Sequence, residues 1–217
     1  MSKNLDQLIQ EVKDAARPFY FKENGESFDD VHDWNHMKRV YGACVEILEH
    51  EPAANKGEIL IGAILHDIGR SKSGSKPHAE FSYELAEPLM VQFESDFKEL
   101  GMDLEKVLLM VRYHSVAHIC PEAKIAEALE FNILTDADKI DMFGASGVLR
   151  QPIAQARIQE KVVYWAIDRF VAESDPNQFE FRSEGGRKIG QKYKDYLKKF
   201  VDDINLQRQK FESKFDN

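Results

Sequence analysis

The stretch Gly57-Glu58-Ile59-Leu60-Ile61-Gly62-Ala63-Ile64-Leu65-His66-Asp67-Ile68-Gly69 decides the fold of this chain. Its apolar residues fall on every side of a helix, which is typical of a helix at the centre of a domain. The run from Ile59 to Leu65 has seven residues, whereas a membrane-spanning helix needs about 20. We therefore predict a buried central helix that ends at Gly69, in the position of a helix C-cap, and that brings a histidine and an aspartate into the core.

Helical spacing of apolar residues continues on both sides of this stretch and predicts an all-α protein. The 217 residues include a single threonine, Thr135, whereas exposed sheet normally uses more. We expect one domain over residues 1–217, with a short hairpin near Phe179 as the only, weak sign of β-structure. The predicted helices cover roughly residues 3–22, 35–50, 57–69, 78–94, 103–114, 123–143, 153–173 and 184–213.

Charge and cysteine content exclude several classes of protein. The net charge of −9 and the pI near 5.3 disfavour nucleic acid as a partner, and the absence of a long apolar run disfavours a membrane. The two cysteines, Cys44 and Cys120, are too few for a disulfide framework and indicate a reducing, cytoplasmic setting. The lysines of the last helix are expected to form its solvated face. Because Phe211 and Phe215 extend its apolar positions, a homodimer is the alternative for that helix.

Several histidines and aspartates fall on the core-facing sides of different helices. His36 precedes Val40 and Cys44 by four and eight residues, so it shares their apolar stripe. The other core-facing residues of these two types are His66, Asp67, His78, His114 and Asp138. Asp136 is rotated by about 200° from Asp138 on a helix and is expected to point elsewhere.

Each of these residues has an ordinary explanation when taken alone, such as a hydrogen-bonded core histidine, a capping His-Asp pair or an aspartate paired with an arginine. One shared metal ion would satisfy His36, His66, Asp67 and Asp138 together, and buried groups of this kind are costly without partners. Imidazole and carboxylate ligands favour Mn, Fe, Co, Ni or Zn, with Mg less favoured. His32, His50 and His118 lack this support, and we expect His50 and His118 to be structural.

Three blocks, His32–Val40, Ile64–Arg70 and Leu134–Asp141, carry a resemblance to a known family. In this order they resemble the HD-domain superfamily of metal-dependent phosphohydrolases, named for the adjacent His-Asp pair. The segment Gly144–Arg150 also looks like a subgroup of small predicted HD hydrolases. The resemblance covers about residues 28–150, so an HD-type helical bundle is expected there, with the helices of about residues 153–213 packed on it as additional C-terminal helices.

The resemblance implies a role for each matching residue. His36, His66, Asp67 and Asp138 would surround one divalent metal ion, and Asp67 would also orient the attacking water as a catalytic residue. Two further histidines, His78 and His114, match positions that either hold a second metal or contact a substrate phosphate. The remaining assignments are Arg70 as a substrate-phosphate ligand, Asp141 as a residue that supports a metal ligand from behind, and Arg150 as a weaker phosphate candidate that is expected to be solvated.

The implied function is hydrolysis of a small phosphate ester or anhydride, with a nucleotide as the favoured substrate class. Phosphomonoesterase, phosphodiesterase and pyrophosphohydrolase activities are not separated by the sequence. An alternative is a di-iron oxygenase or oxidase, because the HD protein myo-inositol oxygenase holds two irons with a ligand set that this sequence can fill. A second alternative is a non-catalytic, ligand-binding HD domain that keeps the metal for structure.

Overall fold

The computed structural model describes residues 3–29, 31–72, 76–158, 163–173 and 179–211. Over these residues the prediction of an all-α fold is confirmed, since they contain no strand and only an isolated bridge between Phe21 and Ser27. The α-helices are α1 (Leu5–Ala16), α2 (Trp34–Leu48), α3 (Lys56–Leu65), α4 (His78–Met90), α5 (Glu94–Glu99), α6 (Leu104–Tyr113), α7 (Ala123–Ala126), α8 (Leu129–Phe143), α9 (Ala145–Ile158), α10 (Val163–Glu173) and α11 (Glu184–Phe211).

Side-chain caps fix where the core helices begin. Asp33 accepts a hydrogen bond from the backbone N–H of His36, 2.8 Å away, and so starts α2. Asn55 accepts hydrogen bonds from the N–H groups of Gly57 and Glu58 at the start of α3. Such caps satisfy backbone donors that have no partner inside the helix. Because the cap at Asp33 sets the first turn of α2, it also directs His36 into the interior.

Helix α3 lies at the centre of the molecule, as the sequence predicts. Each residue from Gly57 to Leu65 is buried, and the helix packs against α1, α2, α6 and α8. Full burial of one leucine or isoleucine side chain contributes about 1.5–3 kcal/mol to folding. Because α3 is buried along its whole length, His66 and Asp67, which follow its C-terminal end, also lie in the core.

The predicted end of the central helix is wrong by four residues. Helix α3 ends at Leu65, and residues Ile68–Ser71 form a 3₁₀ turn. Gly69 lies within this turn, where its N–H donates a 2.9 Å hydrogen bond to Ser82 Oγ. A Cβ atom at Gly69 would lie 2.3 Å from the His78 carbonyl oxygen. Gly69 is thus required by the close approach of the turn to α4 and is not a C-cap.

Other helix boundaries in the structure also differ from the predicted ones. The predicted helix over 123–143 is interrupted after Ala126, and α5 is a short helix that the spacing does not reveal. The break expected at residues 144–147 is limited to Gly144, because α8 ends at Phe143, as predicted, and α9 begins at Ala145. Gly147 allows this, because a Cβ there would lie 2.0 Å from the Met142 carbonyl oxygen. The expected hairpin near Phe179 is not found among the described residues, and Phe215 and the side chain of His118 lie outside them.

Two buried carboxylates attach the start of α11 to the rest of the molecule. Asp136 accepts hydrogen bonds from the backbone N–H groups of Arg182 and Ser183 and from Ser183 Oγ, at 2.7–3.1 Å. Glu51 Oε1 accepts a 2.8 Å hydrogen bond from the N–H of Gly185. Helix α11 then packs on α2 and α8. We infer that the C-terminal helix belongs to the same domain as the core.

In the part of the chain that the structure describes, no helix combines the length and apolar composition needed to cross a bilayer.

The close contact at Gly69 predicts a loss of stability on substitution. We expect Gly69→Ala to lower the free energy of unfolding by about 1–3 kcal/mol, because the added methyl group must displace backbone atoms of α4. Gly42→Ala is the matched control, since among the described residues no atom lies within 4 Å of a Cβ there and alanine is favoured by about 0.5–1 kcal/mol within a helix. Urea denaturation of both variants measures the difference, and equal stability of the two would contradict the packing described.

Candidate metal centre

Residues from five separate parts of the chain meet at the C-terminal end of α3. His36 comes from the first turn of α2, and His66 and Asp67 follow α3. His78 begins α4, His114 follows α6, and Asp138 lies on α8. The structure therefore brings together all six residues that the sequence singles out as candidate ligands.

The first group of ligand atoms is formed by His36, His66 and Asp67, and Asp138 lies beside it. The Nε2 atoms of His36 and His66 are 3.3 Å apart, and Asp67 Oδ2 is 3.5 Å from each of them. Asp138 Oδ1 lies 3.4 Å from His36 Nε2. The Asp138 side chain is 27% exposed, whereas those of the other three are at most 2% exposed. The group is therefore open to solvent on the Asp138 side.

Hydrogen bonds fix the protons of His36 and His66 away from this group. His66 Nδ1 lies 2.8 Å from the carbonyl oxygen of Ala63, and a carbonyl can only accept, so Nδ1 donates. His36 Nδ1 lies 2.7 Å from Asp141 Oδ2 and donates in the same way. In the neutral imidazoles, both Nε2 lone pairs then face each other and the Asp67 carboxylate. Such an arrangement is satisfied by a positive charge between the acceptors, either a metal ion or a proton on one of the two Nε2 atoms.

The distances suit a metal ion. Ligand atoms about 2.1 Å from one ion are about 3.0 Å apart in octahedral and about 3.4 Å apart in tetrahedral coordination. The separations in the first group, 3.3–3.5 Å, agree with these values. Nitrogen and carboxylate oxygen donors are those preferred by divalent first-row transition metals. The residues present thus fit a divalent metal ion in the first group.

The second group shares Asp67 and adds His78 and His114. Asp67 Oδ1 lies 3.4 Å from His78 Nε2 and 3.6 Å from His114 Nε2, and these two nitrogens are 3.1 Å apart. His114 Nδ1 donates to the carbonyl oxygen of Val111. When His78 Nε2 carries a proton, it donates to His114 Nε2 and the second group satisfies itself without a cation; when His78 Nε2 instead accepts from Arg70 Nη2, the two nitrogens present lone pairs to each other. The two oxygens of Asp67 face two chemically different groups.

Arg70 lies against the second group. Its Nε is 3.3 Å from Asp67 Oδ1, and its Nη2 is 3.3 Å from His78 Nε2. The side chain is 25% exposed, so the guanidinium borders both the histidine-aspartate cluster and solvent. The Arg70 guanidinium cation therefore lies next to the place where a second metal ion would be held.

Asp141 connects His36 to two arginines. Besides accepting from His36, its carboxylate accepts hydrogen bonds of 2.5 Å from Arg39 Nε and from Arg150 Nη2. Arg150 also donates to the carbonyl oxygen of Val31. The expectation that Arg150 is solvated is therefore wrong, because helix α9 positions its guanidinium against the Asp141 carboxylate. Burial opposes the charge of Asp141, but His36 and the two guanidinium groups lower its pKa to about 2.

The electrostatics of the cluster keep its aspartate charged and most of its imidazoles neutral. Burial lowers the pKa of His66 to about 4 and that of His78 to about 3. Burial acts against the charge of Asp67, yet the His66 imidazole and the Arg70 guanidinium foremost hold its pKa well below the usual range. Burial also acts to lower the pKa of His36, but Asp138, Asp141 and Asp67 together raise it well above the ordinary value. Positive charge is attracted to the first group.

His32 and Asp29 also lie in this region, although residue spacing did not single out either of them. The His32 ring lies 5.3 Å from that of His36 and 6.4 Å from that of His78, measured between centroids. Asp29 Oδ2 is 3.5 Å from His32 Nδ1 and 4.0 Å from Arg70 Nη1. Both precede α2 in an irregular segment, where the spacing of apolar residues does not indicate which way a side chain points. Asp136, as expected, points away from the cluster.

Solved structures of other proteins share this architecture. A predicted HD superfamily hydrolase from an uncultured Thermotogales bacterium is 25% identical, with 94% of this chain and 99% of that chain covered and a TM-score of 0.57. A *Bacillus thuringiensis* HD-superfamily hydrolase is 17% identical, with coverages of 95% and 100% and a TM-score of 0.63. *Bacillus subtilis* YpgQ in complex with ADP is 15% identical, with coverages of 94% and 96% and a TM-score of 0.61.

Among curated proteins, the comparison found no match to this sequence. A comparison with models of protein families matches residues 33–142 to the HD domain, which is more than half of the 217 residues. That match contains His36, His66, Asp67 and Asp138, and the resemblance noted in the sequence is confirmed. The chain belongs to the HD-domain family.

Proposed function

We propose that this protein is a metal-dependent phosphohydrolase that acts on a small phosphate ester or anhydride, with nucleotides as the substrate class. The observation that carries this proposal is the pair of Nε2 atoms of His36 and His66, which face each other beside the ionised Asp67 and favour a cation between them. The Arg70 guanidinium lies at the solvent-accessible border of the same cluster. A divalent cation and an arginine are the two kinds of group that enzymes use to bind phosphoryl oxygens.

The proposed ligands of the metal ion are His36, His66, Asp67 and Asp138. When bound, an ion of this kind lowers the pKa of a water molecule toward about 7 and offsets negative charge on the phosphoryl group. The donor set favours Mn, Fe, Co, Ni or Zn over Mg. We place this one ion in the first group and treat a second as the alternative, because the second group can satisfy its own hydrogen bonds.

The protein's own residues would then perform the remaining steps. Asp67 Oδ1, which faces away from His36 and His66, would orient the attacking water. Arg70 would bind two oxygens of the phosphoryl group with parallel hydrogen bonds. As the water oxygen bonds to phosphorus, the bond from phosphorus to the leaving oxygen breaks. In this scheme His78 and His114 hold the phosphate or protonate that oxygen.

The comparisons support the hydrolase part of this proposal. The Thermotogales and *B. thuringiensis* proteins are named as HD-superfamily hydrolases. The *B. subtilis* protein was solved with ADP, which supports a nucleotide as the substrate class.

A di-iron oxidase or oxygenase is the second candidate function, and one observation favours it. Asp67 directs one oxygen at each of the two groups, as a carboxylate that bridges two metal ions would. This candidate requires two irons per chain, consumption of oxygen and no phosphate release. Arg70, which lies beside the second group, argues against it, because a guanidinium group and a metal ion at the same place repel each other.

Metal binding is the first test of the proposed centre. We expect one tightly bound divalent ion per chain in metal analysis of protein purified without chelator, and loss of that ion in His66→Ala and Asp67→Ala. His50→Ala is the control, because His50 lies at the end of α2 and contacts only Lys188 among the described side chains. Equal metal content in all three variants would contradict the assigned ligands.

Activity is tested by phosphate release from a panel of nucleotides, sugar phosphates and aryl phosphates. We expect turnover by the metal-loaded protein, a decrease of at least about 100-fold in kcat for His66→Ala and Asp67→Ala, and a raised KM for Arg70→Met. His50→Ala should match the unaltered protein. If the metal-loaded protein released phosphate from no compound, or if the first two variants kept full activity, the proposed function would be wrong.

The contact between Asp141 and His36 predicts an effect on metal affinity. Asp141→Asn removes the charge that holds the His36 proton on Nδ1, and hydrogen-bond partners of metal ligands typically contribute about 10–100-fold to affinity. We expect a decrease of that size in Mn²⁺ affinity by calorimetry, and a smaller one for Arg150→Met. Asp202→Asn, at an exposed position on α11, is the control. Unchanged affinity in Asp141→Asn, with its folding confirmed by circular dichroism, would show that this contact does not orient His36.

A further inference from the structure

A pocket of about 910 Å³ adjoins the second group, and His114 forms part of its wall. We call it the distal pocket. It lies between α8 and the segment that leads into α11. The residues on which the following argument depends are Asn132, Lys139, Phe179, Arg182 and Arg187. Its volume is in the range of small-molecule sites, about 300–1,000 Å³.

The distal pocket carries cations that have no carboxylate partner. Lys139 and Arg182 are half-buried, and among the described residues neither side chain forms an ion pair or a hydrogen bond. Lys139 Nζ lies 5.5 Å from the centroid of the Phe179 ring. Arg187 donates to the carbonyl oxygens of Phe181 and Arg182. In a protein with a net charge of −9, unpaired cations in a concave surface attract an anion.

Two acidic residues, Glu127 and Glu180, also line the distal pocket, and both are exposed. Solvent screens their charges more than it screens those of the half-buried Lys139 and Arg182. The less screened charges of the pocket are therefore positive.

The distal pocket also offers an aromatic surface and an unused acceptor. Phe179 is held in place by edge-to-face contacts with Phe143 and Phe181, at 5.8 and 5.3 Å between centroids. Asn132 Oδ1 is buried and accepts no hydrogen bond from the described part of the chain. A buried acceptor without a donor is costly and is rare in folded proteins. A ligand that provides an N–H or O–H group would satisfy it.

We propose that the distal pocket binds the part of the substrate that lies beyond the reacting phosphoryl group. A second phosphate contacts Lys139 and Arg182, a planar ring packs against Phe179, and an N–H or O–H group of the ligand donates to Asn132 Oδ1. The substrate class that fits is a nucleoside diphosphate or triphosphate, in preference to a nucleoside monophosphate or a sugar phosphate. This inference rests on the proposed function and assigns residues that determine its specificity.

Calorimetric titration of ADP, AMP and adenosine into protein held in EDTA tests the inference without hydrolysis. We expect ADP to bind at least about tenfold more tightly than AMP, and Lys139→Met and Arg182→Met each to weaken ADP binding by about tenfold. Lys124→Met is the matched control, because Lys124 is exposed on neighbouring α7 and does not line the pocket. Equal affinities for ADP and AMP, or unchanged ADP affinity in the Lys139 and Arg182 variants, would overturn the inference.

Asn132→Leu separates a role in binding from a role in folding. Because the leucine removes an unsatisfied buried acceptor, we expect this variant to melt at the same temperature as the unaltered protein or higher, while its affinity for ADP decreases. A purely structural asparagine would give the opposite result, a lower melting temperature with unchanged affinity. Circular dichroism and the same ADP titration measure the two quantities.

Kinetics with p-nitrophenyl phosphate distinguish failure of this inference from failure of the proposed function. This substrate has one phosphate and no base, so Lys139→Met and Arg182→Met should raise the KM for ADP by a larger factor than the KM for p-nitrophenyl phosphate, whereas Lys124→Met should change neither. Equal effects of these variants on both substrates would contradict the distal pocket and leave the phosphohydrolase proposal intact. If no phosphate ester were hydrolysed, the proposed function would fail, and the ADP titrations would still decide whether the pocket binds a nucleotide.

Discussion

The carboxylate of Asp67 imposes the main constraint on this molecule. It follows the most apolar of the described helices, is 2% exposed, and has imidazole groups on both sides. Removing a carboxylate from water costs several kcal/mol unless other groups compensate. The compensating groups come from four places, namely His36 on α2, His66 after α3, Arg70 with His78 next to α4, and His114 after α6. The helices around α3 must therefore meet where Asp67 lies.

The two sides of Asp67 differ in a way that has chemical consequences. On the side of Oδ2, the Nδ1 protons of His36 and His66 are held by Asp141 and Ala63, so their Nε2 atoms face the carboxylate. On the side of Oδ1, the Arg70 guanidinium already supplies a hydrogen-bond donor. This difference supports our proposal of one metal ion on the first side and a substrate anion on the second.

The residues that hydrogen-bond to His36 are held in place by further specific contacts. Asp141 holds His36, and two arginines hold Asp141. Arg150 also reaches the backbone of Val31, so α9 is joined to the segment that contains His32 and precedes α2. His36, a proposed metal ligand near the start of the chain, is thereby oriented by residues more than 100 positions later. Gly144 alone separates α8 from α9, and Gly147, in the first turn of α9, packs against the carbonyl group of Met142.

The sequence by itself determined the helical class, the central position of α3 and the identity of the family, because apolar periodicity and the order of the His, His-Asp and Asp blocks are local properties of the chain. It also placed His36 and His114 on inward-facing stripes, since the helical repeat fixes which side of a helix a residue occupies. The tertiary structure alone decided the partners of Arg150, the inclusion of His32 and Asp29, and the role of Gly69. These depend on how helices cross and on the path of irregular segments. Whether a charged side chain meets water or a carboxylate from a distant helix is set by that crossing, and spacing along one helix contains no information about it.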